Sequence, residues 1–320
     1  GVPLSLLNLK ERDHYGILEV GMDKKGEIDY LSKIIQPDVS VITNINFAHA
    51  KNFKNIKDIA LAKSEIIQNT KPNGCVVLNA DDSFFKIHKK LVLKYNLKMI
   101  SFGIKNQKSN IKLINISKEG KYFKINIKIY NSKKCFLISN NFQNNIYNIL
   151  AALAVMSFYF DILKLNKNIF LNFKTPQGRG DFSRILVNRK NINLIDESYN
   201  SNPLSLKSAI QNYNIIDSRK SKKYLLLGDM LELGNHSKKL HESIAPVINK
   251  TKIDKVFVKG KMVISIFNKL IKSKKGRILR NKSEIIKLIT NDLNNNDYLM
   301  IKASNATGFN KIVKDMKGIN

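Results

Sequence analysis

Short apolar runs alternate with amphipathic stretches twice over in this chain, and that alternation restricts it to α/β architectures with mainly parallel sheets. In the first round Tyr15–Val20 reads as a strand, followed by a turn-rich stretch from Gly21 to Gly26. Glu27–Ile35 has helical spacing, Val39–Ile45 is a second strand and Lys57–Gln68 a helix. Cys75–Leu78 and Phe84–Tyr95 repeat the strand-helix pair. From Lys98 to Ser139, Ile, Val, Tyr and Phe alternate with Lys and Asn, as in antiparallel strands with one wet face. Asn145–Asp161 predicts a helix.

Pro176, Gly178 and Gly180 interrupt the pattern within six residues, at Thr175–Gly180. The alternation then restarts, with strands at Ile192–Asp196, Tyr224–Gly228, Lys255–Lys259 and Tyr298–Lys302, and helices from Pro203 and Ser237. A length of 320 residues fits two domains at roughly 100–200 residues each. The expected division is 1–177 and 178–320.

Composition narrows the function classes. The longest nearly apolar run, Ile149–Phe160, stops at Asp161, short of the roughly 18–20 residues that span a bilayer. Cys75 and Cys135 are too few for a disulfide framework or a cysteine zinc site. A reduced, cytoplasmic setting and a monomer are the expectation. The formal charge is +30, but only seven of the 55 basic residues are Arg. Nucleic-acid readers lean on Arg for bidentate contacts. Here Lys is spread evenly beside abundant Asn and Ile, all with A/T-rich codons, so genome composition accounts for the charge. Nucleic acid is not an expected partner, although a basic surface suits phosphate-bearing substrates.

Open α/β sheets bind ligands at the carboxyl ends of their strands. Glu19 ends the first strand, His49 lies beyond the second, and Lys63 and Glu65 ride the helix after it. A carboxylate, an imidazole and a lysine therefore gather at one rim. Each alone also reads as an ordinary solvated side chain. Asn79-Ala80-Asp81-Asp82 follows a strand, and Asn145 and Asn148 open the long helix, where free N–H groups suit nucleotide edges or phosphate. Simple N-capping is the plainer reading of those amides. Arg179 stands at the domain junction. Asp196–Pro203, Gly228–Gly234 and Lys302–Ser304 each end a strand. No G-x-x-x-x-G-K-[ST] phosphate loop occurs in the 320 residues.

The order of these pieces resembles the Mur ligase family. They are G-V-P at Gly1, E-V-G-M-x-x-x-G-E-I from Glu19, P-D-V-x-V-I-T-N-I from Pro37, A-H at Ala48 and A-K-S-E-I from Ala62. They continue with L-N-A-D-D from Leu78, N-N-I-x-N from Asn144, Gly178-Arg179, D-E-S-Y-N-S-N-P from Asp196, G-D-M-L-E-L-G from Gly228 and K-A-S from Lys302. The D-E-S-Y-N-S-N-P and G-D-M-L-E-L-G stretches resemble the branch that joins D-Ala-D-Ala to UDP-MurNAc-tripeptide in peptidoglycan synthesis, and so serves cell-wall growth and division. The resemblance implies a central ATPase-type domain, here lacking its phosphate loop, followed by a C-terminal Rossmann-like domain. It implies that the UDP-binding domain and the phosphate loop lie outside these 320 residues, so that this chain alone has no ligase turnover. Another Mur-type or folylpolyglutamate-type ligase, and a non-catalytic basic remnant, are the competing readings.

Residue by residue, the resemblance implies ATP and Mg2+ as cofactors. Glu19 and His49 match magnesium-binding positions. Lys63 matches a lysine that takes up carbon dioxide as a carbamate and then holds a second magnesium. Asn145 and Asn148, and Asn79 with them, match positions near the adenine. Arg179 matches an arginine that reaches the ATP phosphates, and Asp196 an acid that holds the ribose. Tyr199, Asn200, Lys302 and Ser304 line the matching cleft, with contacts to D-Ala-D-Ala or nucleotide not separable. Asp229 and Glu232 are either site or turn residues. The sequence departs from the family at Lys51, Asp23-Lys24 and Ala303, the last standing where Gly is usual.

Overall fold

The computed structural model describes residues 1–47, 50–139, 143–173, 175–218 and 221–318. The chain divides into two compact units, Gly1–Phe173 and Lys174–Asn320.

In the first unit, strands β1 (Val39–Ile42), β2 (Cys75–Asn79), β3 (Lys98–Gly103), β4 (Ile111–Glu119), β5 (Tyr122–Ile129) and β6 (Ser132–Ile138) form one sheet in chain order. β1 to β4 pair in parallel, and β4, β5 and β6 pair antiparallel. The side chains explain the change. β2 is apolar and buried along its whole length, as a strand covered on both faces must be. In β5, Ile125, Ile127 and Ile129 enter the core between Lys124, Asn126 and Lys128, which leaves one face for water. The antiparallel expectation for Lys98–Ser139 therefore applies from β4 onward, while β3 lies parallel to both its neighbours.

Helices α1 (Val2–Leu7), α2 (Glu27–Ile35), α3 (Ile56–Gln68), α4 (Phe85–Lys94) and α5 (Gln143–Tyr159) complete this unit. α5 buries Ile146, Leu150 and Leu153 against Phe102, Ile125 and Phe136. On a second core Ile28, Ile59, Ile67 and Val92 of α2 to α4 meet Ile42, Val76 and Leu78. Each such side chain contributes about 1.5–3 kcal/mol when fully buried. The N-terminus of α3 is fixed by Asn55, whose side chain accepts the Asp58 amide.

Tyr15–Val20 is not a strand. The segment has no ladder neighbour among the described residues, and Ile17 is 98% exposed. Its apolar letters fit a strand, but a strand needs a partner to accept its backbone hydrogen bonds.

In the second unit, β7 (Asp181–Val187), β8 (Lys190–Glu197), β9 (Lys223–Gly228), β10 (Lys255–Lys259), β11 (Lys275–Ile278) and β12 (Tyr298–Lys302) are ordered β11-β10-β9-β12-β8-β7. All pairs are parallel except the β7–β8 hairpin. Asn188 and Arg189 turn that hairpin with φ of 46° and 63°, the two positive angles a type I′ turn requires. Helices α6 (Pro203–Ile215), α7 (Ser237–Glu242), α8 (Ala245–Asn249), α9 (Ile264–Lys269), α10 (Lys282–Lys287) and α11 (Phe309–Lys317) connect the strands. α6 opens with a capping box between Asn202 and Ser205. α10 and α11 cover one face through Ile285, Phe309, Ile312 and Val313.

Candidate functional site

In the first unit, the loops beyond β1 and β2 are tied together at the carboxyl ends of the parallel strands. The Asn79 side chain donates to the Thr43 carbonyl at 3.0 Å and accepts the Asp81 amide at 3.0 Å. Asp82 accepts the amides of Ile45 at 2.7 Å and Phe84 at 2.8 Å. The turn before α2 joins the same rim. Glu65 accepts the amides of Gly26 and Asp29 at 3.0 and 3.1 Å, and Asn52 donates to the Asp23 carbonyl at 3.1 Å. Glu65 is therefore a helix-start acceptor with a structural job.

Lys63 projects from α3 onto this rim. Its amine donates to the Asn44 carbonyl at 3.3 Å. Burial pulls its pKa down, and the Asp82 charge only partly opposes this. The Asn46 side chain donates to Asn44 Oδ1 at 3.1 Å, and its own buried Oδ1 has no partner among the described residues. Glu19 is exposed and makes no hydrogen bond among the described residues. His49 lies outside the described residues. No group of three His, Cys, Asp or Glu side chains able to hold a metal forms among the described residues.

Asn145 and Asn148 stand in the first turns of α5, half-buried and exposed respectively. Their neighbour Tyr147 donates its hydroxyl to Asp81 at 2.8 Å. Asp81 also accepts the amides of Ile104, Lys105 and Asn106, the nearest at 2.6 Å. Burial alone raises its pKa, but these four donors overcome it and hold the carboxyl below its usual range. Asp81 thus fastens α5 to the loop after β3. Sequence reasoning quoted it only within a motif.

In the second unit, the loops beyond β8, β9 and β12 are also cross-linked. Lys302 Nζ donates to Glu197 Oε2 at 2.9 Å and to the Asn200 carbonyl at 3.0 Å, with only 3% of its side chain exposed. Ser304 Oγ accepts the Leu231 amide at 2.9 Å and donates to the Ser201 carbonyl at 3.2 Å. Both residues are buried, so they hold the rim together. Arg179, Tyr199 and Asn200 are the exposed members. The Arg179 guanidinium lies 4.3 Å from the centre of the Tyr199 ring, a stacking geometry worth about 0.5–1 kcal/mol at an exposed site. The Tyr199 amide donates to the Gly178 carbonyl at 3.0 Å. Gly178 has φ +77°, and a Cβ there would sit 2.9 Å from that amide nitrogen, so only glycine brings the two loops this close. Asp196 is buried with both oxygens engaged. Oδ1 accepts from Ser198 N and Oγ at 3.0 and 2.6 Å, and Oδ2 faces Lys317 Nζ at 2.9 Å.

The Gly228–Gly234 loop is structural at its acid. Asp229 accepts the amides of Lys261, Met262 and Val263 at 2.7–3.0 Å. His241, fully buried, accepts the Met230 amide at Nε2 (3.0 Å) and donates from Nδ1 to the Ser237 carbonyl (2.8 Å). That pattern needs the neutral ring, and burial pushes its pKa down against the Ser237 carbonyl and Asp229. His88, buried with its Nε2 on the Ala60 carbonyl, is shifted the same way, mainly by burial. Unfolding lets both rings take up protons, so their stabilisation is complete above about pH 6.5 and is lost as pH falls below it. The urea midpoint should drop between about pH 7 and about pH 5. His241→Leu should cost about 2 kcal/mol by leaving the Met230 amide without an acceptor, and should flatten part of that drop.

A hollow of about 410 Å³ lies at the opposite, amino-terminal ends of β9, β10 and β11, lined by Tyr224, Phe257 and Arg277 among others. Arg277 is paired there with Asp292. No helix among the described residues is long and apolar enough to cross a membrane.

The chain matches the Mur ligase middle domain over residues 1–156 and the Mur ligase glutamate ligase domain over residues 183–305. It is 34% identical over 334 residues to the UDP-N-acetylmuramoyl-tripeptide–D-alanyl-D-alanine ligase of Buchnera aphidicola subsp. Acyrthosiphon pisum, covering 99% of this chain and 68% of the relative. The Bacillus subtilis ligase of the same name is 30% identical, with 99% and 67% covered. MurF from Thermotoga maritima, solved in complex with ADP, superposes with a TM-score of 0.81 at 25% identity, covering 100% of this chain and 70% of that one. MurF from Acinetobacter baumannii has the same fold, with a TM-score of 0.84 at 24% identity and 99% and 68% covered. Two matched domains in the family's order, and a relative at 34% identity across nearly the whole chain, place this chain in the Mur ligase family.

Proposed function

We propose that this chain forms the central and C-terminal parts of an ATP-dependent ligase that joins D-Ala-D-Ala to UDP-MurNAc-tripeptide. The observation that carries the reading is the 34% identity to a ligase of that name across 99% of the chain. The substrates are water-soluble precursors, which fits a cytoplasmic setting.

The reaction couples two displacements. The tripeptide's terminal carboxylate attacks the γ-phosphorus of ATP, forming an acyl phosphate and releasing ADP. The amine of D-Ala-D-Ala then attacks the acyl carbon, and the tetrahedral intermediate collapses to the amide and inorganic phosphate. Negative charge moves through phosphoryl and carbonyl oxygens, so positioning and cationic stabilisation supply the catalysis. Arg179, exposed and braced on Tyr199, is suited to the ATP phosphates. Asn145 and Asn148 face the adenine in this reading, while Asp196, buried with both oxygens bonded, holds the loop that carries Tyr199 and Asn200 beside the ribose. Asn79 positions the β2 loop, since its amide group is already bonded on both sides. Tyr199 and Asn200 are exposed beside Arg179 for D-Ala-D-Ala or nucleotide, with Lys302 and Ser304 holding them in place.

Magnesium prefers oxygen ligands, few of them from protein. Glu19 offers an exposed carboxylate with no hydrogen bond among the described residues, and Asn46 a buried oxygen with no partner among them. Glu19, His49 and a carbamate on Lys63 are the residues that would hold the ion, which would neutralise phosphate charge. The lowered pKa of Lys63 favours the neutral amine that carbon dioxide requires.

The test is phosphate release by the product of the complete reading frame that contains these 320 codons. Release should require ATP, UDP-MurNAc-tripeptide and D-Ala-D-Ala together. Turnover with glutamate in place of D-Ala-D-Ala would sink the assignment.

A further inference from the structure

Asp181 and Asp196 face each other directly across the antiparallel β7–β8 pair. Two carboxylates at opposed positions repel, and each would raise the other's pKa. Lys317, in the last turn of α11, stands between them. Its Nζ is 2.6 Å from Asp181 Oδ2 and 2.9 Å from Asp196 Oδ2, and 7% of its side chain is exposed. Each carboxylate spends its other oxygen on a loop. Asp181 Oδ1 accepts the Gly178 amide at 2.6 Å, and Asp196 Oδ1 accepts from Ser198. Through Asp181 the lysine fixes the turn that carries Arg179. Through Asp196 it fixes the loop that carries Tyr199 and Asn200.

We propose that Lys317 is the positioning residue that aligns Arg179 and the loop carrying Tyr199 and Asn200 for nucleotide, acting as one cation shared between two ladder-opposed carboxylates. The proposal rests on the nucleotide reading of Arg179 given above. The other ion pairs in this unit support its distinctness. Lys282–Asp315 and Arg277–Asp292 are exposed, while the buried lysines among the described ion pairs, Lys302 and Lys317, both brace this rim. Burial opposes the charge on Lys317, but its two carboxylate partners outweigh burial and keep it protonated. A surface lysine in the last turn of a helix needs no such arrangement to complement the helix dipole.

The experiment measures ATP dependence of phosphate release by the product of the complete reading frame. Lys317→Met should raise KM for ATP about tenfold while kcat stays within about twofold, because the loops lose alignment for binding and the transferring groups remain. Lys317→Arg should recover most of the affinity, since it restores the shared cation. If Lys317→Met unfolds the unit, the double variant Lys317→Met/Asp181→Asn removes the repulsion and keeps the fold. A raised KM in that folded double variant supports the proposal, and an unchanged KM overturns it. Arg179→Ala separates the two claims. An unchanged KM in Arg179→Ala removes the nucleotide reading itself. A raised KM there with an unchanged KM in Lys317→Met removes only the role of Lys317.

Discussion

In the product of the complete reading frame, replacing Lys63 with alanine should lower kcat for phosphate release about 1,000-fold, the scale on which charge-positioning groups act, with little change in folding stability. The two halves of that expectation have separate causes. The residue is half-buried, its one hydrogen bond among the described residues is a 3.3 Å contact to the Asn44 carbonyl, and no ion pair among those residues includes it. Removing a partly desolvated cation held this weakly costs the fold little, because the desolvation penalty leaves with the charge. The same weakness leaves the nitrogen chemically available. Carbon dioxide can add to the neutral amine, forming an N–C bond and releasing a proton, and the product is an anion where a cation stood. Lys63→Arg should be as inactive as alanine, since a guanidinium stays protonated. Steady-state phosphate release and urea unfolding on both variants provide the check. Activity within about tenfold of the parent for either one would reject the role of Lys63, given this scale for charge-positioning groups.

Gly228→Ala should destabilise the second unit by about 3 kcal/mol, at the upper end of ordinary over-packing costs. Gly228 closes β9, between β10 and β12. A Cβ there would sit 2.6 Å from Ala303 Cβ and 2.6 Å from the Phe309 ring. Ala303 is fully buried and Phe309 is 1% exposed, so neither can swing aside into solvent. The expected site departure at Ala303 therefore has its effect inside the core. Its methyl group occupies the space that a side chain at position 228 would need. Ala303→Gly in the same chain should recover about 1 kcal/mol, leaving the Phe309 clash in place. Urea midpoints on the single and double variants test this, and a change below about 0.5 kcal/mol for Gly228→Ala, the size of an ordinary surface substitution, would show that the strands can separate to admit the methyl.

Much of this architecture is legible in the letters, and the failures have identifiable physics. α2, β10 and β12 begin and end where periodicity puts them, because fully buried strands and one-faced helices write their burial into residue type. β11, Lys-Gly-Arg-Ile, has a single apolar side chain and gives no signal. Tyr15–Val20 gives a strong signal and forms no strand, because pairing depends on a neighbour that a local window does not contain. At the strand ends, residue type marked loops with polar and charged side chains but not which of those side chains face solvent. Ser304 and Lys302 suit a substrate contact by type, yet both are consumed in binding loops together. Lys317 is one of 48 lysines, and nothing in its local sequence marks it. Its importance follows from the register that opposes Asp181 and Asp196, which appears only once β7 and β8 are paired.

The two sheets also differ in how a growing chain could build them. In the first, every strand is laid beside the one made just before it, so pairing can advance as residues leave the ribosome. In the second, β12 follows the other five described strands in sequence and yet sits between β8 and β9. Until Tyr298–Lys302 emerges, those two strands have no shared neighbour, and their inner edges stay open to wrong partners. The second unit is therefore the one whose yield should depend most on chaperones, since a chain stopped just before β12 holds only a divided sheet.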